Sequence, residues 1–300
     1  MTNFILIFIC LAAGQLLQRR ADIEADEAAR SLNLYVIYVA LPALVLAQVP
    51  GLSFSPELWI VIAMPWLMVA WAVLLLLACQ RLFNWPRAVM GCLLLCVPLA
   101  NTSFLGIPMV TAFFGPEYVG YAVIYDQLGS FVALSTYGTF ILAIYGGQER
   151  PTPKGMIKKI ITFPPFIALL CGLALRGVEM PGPLAAALSQ VGVSLVPAVM
   201  VAVGLQLKIR LPGHFRAPFY TGLAIKLIAA PLLALSLYRT LAPESGGPGQ
   251  IAVFEAGMPP MITAGALAIA AGLAPELAAA LVGWGIVLSF ASLSGLFLLL

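Results

Sequence analysis

The chain has 300 residues, 62% of them apolar and only 9% charged, and its mean hydropathy is +1.04. That composition excludes an ordinary water-soluble domain and reads as an all-α membrane protein that crosses the bilayer many times. The 15 basic and 12 acidic residues leave a formal charge of +3, spread over loops and not gathered into a nucleic-acid footprint, and the single histidine, His214, leaves no material for a Ser/His catalytic pair or a zinc-type site.

Apolar stretches run at 4–18, 31–49, 57–79, 88–114, 118–145, 159–175, 184–207, 217–241, 250–272 and 276–300. Most reach the roughly 20 residues that span hydrocarbon as a helix, and backbone groups in lipid leave helices as the only option for runs this long. The first is short, and a cleaved signal peptide is the competing reading. No basic residue precedes Phe4, however, whereas Arg19 and Arg20 follow the apolar run. Loops after stretches one, three, five and seven carry Arg19, Arg20, Arg30, Arg81, Arg87, Arg150, Lys154, Lys158, Lys159, Lys208, Arg210 and Arg216, while the opposite side has only Arg176 and Arg239. The positive-inside rule makes the first group cytoplasmic and places both termini outside the cell membrane. Cys10, Cys79, Cys92, Cys96 and Cys171 fall in apolar stretches or at their ends. Cys92 and Cys96 stand one helical turn apart without a neighbouring His or carboxylate, so they read as packing residues.

The sequence also repeats itself. Leu41-Pro42-Ala43-Leu44-Val45-Leu46-Ala47 returns as Val196-Pro197-Ala198-Val199-Met200-Val201-Ala202, Ala63-Met64-Pro65-Trp66-Leu67 as Ala229-Ala230-Pro231-Leu232-Leu233, and Ser130-Phe131-Val132-Ala133-Leu134-Ser135 as Ser289-Phe290-Ala291-Ser292-Leu293-Ser294. The echoes keep their order, which predicts two homologous five-helix halves, 1–147 and 159–300, joined by a cytoplasmic linker at 148–158. With five crossings each, the second half is inserted upside down relative to the first. This is an architecture of secondary transporters whose substrate sits at mid-membrane between the halves.

The fourth stretch contains Pro98-Leu99-Ala100-Asn101-Thr102-Ser103-Phe104-Leu105-Gly106-Ile107-Pro108, a polar and helix-breaking run to bury in lipid. Pro98 and Pro108 cannot donate to the carbonyls of Leu94 and Phe104, and Gly106 supplies flexibility between them. The matching place in the ninth stretch is Glu255-Ala256-Gly257-Met258-Pro259-Pro260-Met261-Ile262-Thr263, where two prolines release the carbonyls of Glu255 and Ala256. Breaks at corresponding depths of inverted repeats predict discontinuous helices that cross, their half-helix N-termini presenting unpaired N–H groups to an anion. Asn101, Thr102, Ser103, Gly106 and Pro108 at the first break and Pro259, Pro260 and Thr263 at the second are the candidate binding residues.

Three ionisable residues fall inside predicted spans: Asp126, Lys226 and Glu255. Each costs roughly 2.5–3.5 kcal/mol near the bilayer centre, so all three must face protein or water. Pairing of Lys226 with Glu255 is one reading; proton transfer by Asp126 or Glu255, or charge compensation of the substrate by Lys226, is the other. Stretches one, two, six and seven hold no ionisable residue within their apolar runs. That partition predicts a transport unit made of the last three helices of each half, moving against a scaffold made of the first two.

The pattern Asn101-Thr102-x-x-x-Gly106-Ile107-Pro108 resembles the fourth-helix motif of the auxin efflux carrier family, which comprises plant PIN-type carriers and many bacterial relatives. The similarity in layout covers essentially the whole chain. It implies a fold related to the sodium/bile-acid symporters, homodimers formed through the scaffold, an elevator-like motion, and organic-anion substrates such as auxin or dicarboxylates with the Asn101 amide near a substrate carboxylate. Two departures stand out. No asparagine accompanies Pro259-Pro260, and the central loop is short, so the expectation is a bacterial-type carboxylate exporter. No cofactor, metal ion or catalytic residue is expected. The alternatives are a sodium- or proton-coupled symporter of the related fold, an intramembrane enzyme or sensor, and a passive channel.

Overall fold

The computed structural model describes residues 2–20, 24–52, 57–147, 152–178, 180–207 and 213–300; the basic residues Arg150, Lys208 and Arg210 of the predicted cytoplasmic loops lie outside them. The helices are α1 (Thr2–Gln18), α2 (Ala25–Gln48), α3 (Leu58–Phe83), α4 (Arg87–Cys96), α5 (Thr102–Phe113), α6 (Pro116–Tyr145), α7 (Pro153–Ile161), α8 (Pro164–Ala174), α9 (Gly182–Gln206), α10 (Arg216–Leu241), α11 (Gly246–Ala256), α12 (Ile262–Ala270) and α13 (Pro275–Phe297). Among the described residues the only other pairing is one antiparallel bridge between Ala100 and Pro260. Six helices, α2, α3, α6, α9, α10 and α13, are long and apolar enough to cross a membrane, and the bent pair α7–α8 makes a seventh if taken as one span. The chain is thus an all-helical membrane protein. The fourth and ninth apolar stretches are each two helices, and the sixth begins at Pro164, because Pro164-Pro165 start a new helix after Phe163 turns extended.

The helices fall into two compact groups. The first comprises Met1–Ser55, Ser103–Gln127 and Lys159–Leu207. Within it α1 lies against the second half of α9 at a pair of glycines: a Cβ on Gly204 would come 2.9 Å from Gly14 Cα and would overlap the Leu11 carbonyl. Small residues at such a crossing let two backbones approach closely in lipid, where close packing replaces the hydrophobic effect. The approach is sealed by side-chain amides. Gln15 Nε2 donates to the carbonyls of Gly204 (2.6 Å) and Leu207 (3.0 Å), and Gln18 Nε2 to that of Leu205 (2.7 Å). These cap the orphan carbonyls at the end of α9. Gly204→Val is therefore expected to cost more than the 1–3 kcal/mol typical of overpacking, because the added carbons meet backbone; a fall of several degrees in the melting temperature of the purified protein checks it. In the first half of α9, Gly192 packs on the Leu44 backbone of α2, where a Cβ would lie 3.0 Å from Leu44 Cα. Ser194 Oγ donates to Val191 O (2.6 Å), so Tyr35 is the donor in its 2.7 Å bond to Ser194.

The second group comprises Pro56–Thr102, Leu128–Lys158 and Lys208–Leu300. Its centre is α4, buried from Val89 to Cys96. Around it pack Leu277 and Leu281 of α13, Leu223 of α10 and Ala264 and Ala268 of α12. Gly91 leaves room for Tyr145, whose Cβ would be 2.7 Å from a Cβ at position 91. Arg87 donates to the Ile144 carbonyl and stacks over the Tyr145 ring at 5.3 Å, fastening the start of α4 to the end of α6. Pro65 sits inside α3 without ending it. Gly129 packs directly on that proline ring, and Trp66 Nε1 donates to Leu128 O at 3.1 Å.

Candidate functional site

The site is built where two helices stop. Pro98 removes the donor that the Leu94 carbonyl of α4 would have used, and the Tyr137 hydroxyl replaces it at 2.6 Å. In α11 the helix tightens as it ends: Gly257 N–H reaches the carbonyls of Val253 and Phe254, and Met258 N–H reaches Glu255 O at 3.1 Å. Prolines 259 and 260 then hold the chain extended, since a residue before proline is driven out of the α region. The two extended pieces pair antiparallel. Asn101 N–H donates to Pro259 O at 2.9 Å and Met261 N–H to Leu99 O at 3.0 Å. Each bond needs an N–H that proline lacks, so the donors are Asn101 and Met261, and Pro259 contributes only its carbonyl. Gly285 of α13 makes room for this crossing, because a Cβ there would lie 2.6 Å from Pro260 Cδ.

Asn101, Pro259 and Pro260 are thus brought together. Asn101 is 2% exposed, and its Nδ2 meets no acceptor among the described residues. A buried amide donor left unpaired costs about 1–3 kcal/mol. Thr102, fully buried, begins α5. Met261 is the extended residue before α12, and the first helical bond is Gly265 N–H to Met261 O at 3.0 Å. The amides of Ile262, Thr263 and Ala264 come before it and carry the positive end of the helix dipole. Thr263 is exposed, pointing away from the packed interior. Lys226 and Glu255, 2% and 0% exposed, lie within electrostatic range of each other.

The remaining predicted residues sit elsewhere in the chain's course. The fourth-stretch break is confined to 97–101, narrower than the proline spacing implied. Helix resumes at Thr102 as a π turn, Thr102–Gly106, in which Gly106 has an ordinary right-handed φ of −59°. Pro108 follows as the second residue of the α-helical part, Ile107–Phe113, directly after the π turn. Ser103 is half-buried. Asp126 belongs to the first compact group, 1% exposed, and accepts a 2.6 Å bond from Gln127 Nε2. In that group Pro108 also lines a cavity of about 150 Å³, mostly apolar, with Gln48, Thr111 and Ser189 as its polar side chains.

Comparison with known sequences adds the decisive observation. The profile of the family described as membrane transport protein matches residues 1–297. The chain belongs to that family, the auxin efflux carriers. It is 28% identical over 278 residues to a protein named as an uncharacterized transporter of Methanothermobacter thermautotrophicus, covering 89% of this chain and 88% of the relative. A similarly named transporter of Methanocaldococcus jannaschii is 26% identical over 247 residues, 78% of each chain.

Sequence reasoning about this membrane transport protein missed its π turns. Five are described, Val36–Ala40, Thr102–Gly106, Asp126–Ser130, Leu134–Gly138 and Ile225–Ala229, and the buried Thr102, Asp126 and Lys226 each stand in one. Such one-turn widenings are frequent at functional positions. They share no composition signature. Gln127, fully buried beside Asp126, and Tyr137 were also overlooked; a search for side-chain donors near each proline-freed carbonyl finds the second. Tyr137→Phe is expected to lower stability by about 1–3 kcal/mol, the cost of stranding the Leu94 carbonyl, which a thermal melt of the purified transporter detects.

Proposed function

We propose that this chain is a secondary transporter that exports a small organic anion of the carboxylate class by elevator-type alternating access. The observation that carries the reading is the unpaired Asn101 amide, buried beside the paired breaks at 99–101 and 259–261. An amide donor and the helix N-terminus at Ile262 match the acceptor oxygens and negative charge of a carboxylate. On this reading the ten apolar stretches are ten crossings in two inverted five-helix repeats, as in the bile-acid/sodium symporters, with both termini outside the cell membrane. Helices from the last three stretches of each repeat carry the substrate against a scaffold from the first two, through which two copies pair. The grouping of α1, α2, α8 and α9 in one compact unit, and of α3 and α10–α13 in the other, supports that division, with the difference that 103–127 join the first. An inside-negative potential favours anion exit by about 2.3 kcal/mol per charge per 100 mV, so export needs no coupling ion.

The buried carboxylates Asp126 and Glu255 favour a second reading, a proton- or sodium-coupled organic-anion symporter. A thermal-shift screen of the purified protein against auxins, dicarboxylates and bile acids, with and without sodium, identifies the substrate class. Flux of the best ligand in proteoliposomes then tests the mechanism. Export is supported by saturable flux that persists when choline replaces sodium and that keeps its pH profile in Glu255→Gln and Asp126→Asn. Flux lost in choline, or a pH profile flattened by either substitution, transfers the assignment to the coupled symporter. Absence of any solute flux overturns both.

A further inference from the structure

We infer that α7 (Pro153–Ile161) is a surface anchor that lies in the headgroup plane of the membrane and binds anionic lipid. The sequence builds a short helix here with a definite start. Thr152 Oγ1 accepts the Gly155 N–H at 3.1 Å, Met156 N–H reaches Thr152 O at 3.0 Å, and Pro153 occupies the first turn. At 100° per residue Met156, Ile157, Ile160 and Ile161 share an arc of about 140°, and Lys154, Lys158 and Lys159 occupy the remainder. No residue of the helix is buried; Ile157 is 59% and Ile161 52% exposed and Met156 and Ile160 are half-buried, so among the described residues nothing covers the outer part of the apolar face.

The occupant follows from length, direction and charge. Nine residues rise about 14 Å, half the hydrocarbon thickness, so this helix cannot span. It meets α8 at 65°, the kind of turn a chain makes between lying on a bilayer and entering it, and α8 is itself apolar. An apolar stripe flanked by lysines is the pattern of interfacial helices, whose stripe dips into the acyl boundary while the cations meet lipid phosphates. No acidic residue occurs from Thr152 through Val178, so the patch is uniformly basic and complements an anionic surface. The role goes beyond loop connection: the link between the chain's two halves becomes tied to the lipid composition around it.

The test uses the full-length protein with Cys10, Cys79, Cys92, Cys96 and Cys171 replaced by alanine and a nitroxide on Ile157→Cys or Lys154→Cys, in nanodiscs of phosphatidylcholine alone or with phosphatidylglycerol. Electron paramagnetic resonance compares collision with oxygen, which enters lipid, against collision with a water-soluble nickel chelate. In phosphatidylglycerol discs the label at 157 is expected to be oxygen-accessible and shielded from nickel, while the label at 154 is open to nickel. Each lysine contributes about fivefold to surface partitioning, so Lys154→Gln, Lys158→Gln and Lys159→Gln together should raise nickel collisions at 157 toward the pure phosphatidylcholine level. Half-molar salt should do the same without any substitution. Equal nickel access at 157 and 154, protection indifferent to lipid charge and salt, or protection unchanged in the triple variant would each overturn the proposal. The last two outcomes point to a protein partner on that face.

Discussion

Asn101→Leu is expected to weaken carboxylate binding at least tenfold while leaving the empty protein as stable as its parent, or more so. Asn101 is 2% exposed and its Nδ2 has no acceptor among the described residues, so removing the side-chain amide relieves a stranded donor. The relief is worth up to about 1–3 kcal/mol in the empty state. On the proposed function, a bound carboxylate would take from the same donor a charge-assisted bond worth about 1.5–3 kcal/mol, a factor of roughly 10 to 150 in affinity. The backbone N–H of Asn101, which holds the crossing, is untouched by the substitution. Asn101→Asp is expected to be worse for binding than Asn101→Leu, since it sets one carboxylate against another. Melting temperature without ligand, and its shift with the best ligand of the screen, are the two measurements. A large loss of stability with binding intact would mean that the amide serves the fold and not the substrate.

The second large effect concerns Lys226 and Glu255. Either Lys226→Met or Glu255→Gln alone is expected to lower stability, because each removes one of two buried groups whose opposite charges attract each other. The double variant should recover most of that loss, since two neutral side chains of similar size remove both desolvation penalties. The coupling is read from the melting temperatures of the four proteins in a thermodynamic cycle. Additive losses would show that the two groups are held by other partners and do not act as a pair.

Much of this was legible in the sequence, for reasons that differ by residue. Uninterrupted apolar runs of about 20 residues give an all-helical membrane protein, because a spanning barrel strand needs only about half that length. Pro98 and Pro259-Pro260 mark the breaks because a missing N–H is a covalent fact. What those prolines do not encode is how the freed segments meet. The pairing of Leu99 and Asn101 with Pro259 and Met261 depends on two pieces of chain more than 150 residues apart, and its two donors are non-proline residues. Gly106 and Pro108 misled for the converse reason: a glycine and a proline also fit a helix's first turns, and there they leave α5 intact. Lys226 and Glu255 stood out as costly charges, and their proximity adds what the sequence left open, namely that they are near one another. The π turns at Thr102, Asp126 and Lys226 stayed hidden, since widening one helical turn needs no particular residue.

The clasp at 99–101 and 259–261 is fastened only by main-chain atoms, Asn101 N–H to Pro259 O and Met261 N–H to Leu99 O. The fastening uses no side chain of Ala100 or Asn101, whereas Leu99 and Met261 are buried in the core. On the proposed function, solute preference can therefore change at Asn101 without touching either main-chain bond. A saturation library at positions 100 and 101 becomes a direct test of altered solute preference, with Leu99, Met261, the prolines and Gly285 held fixed.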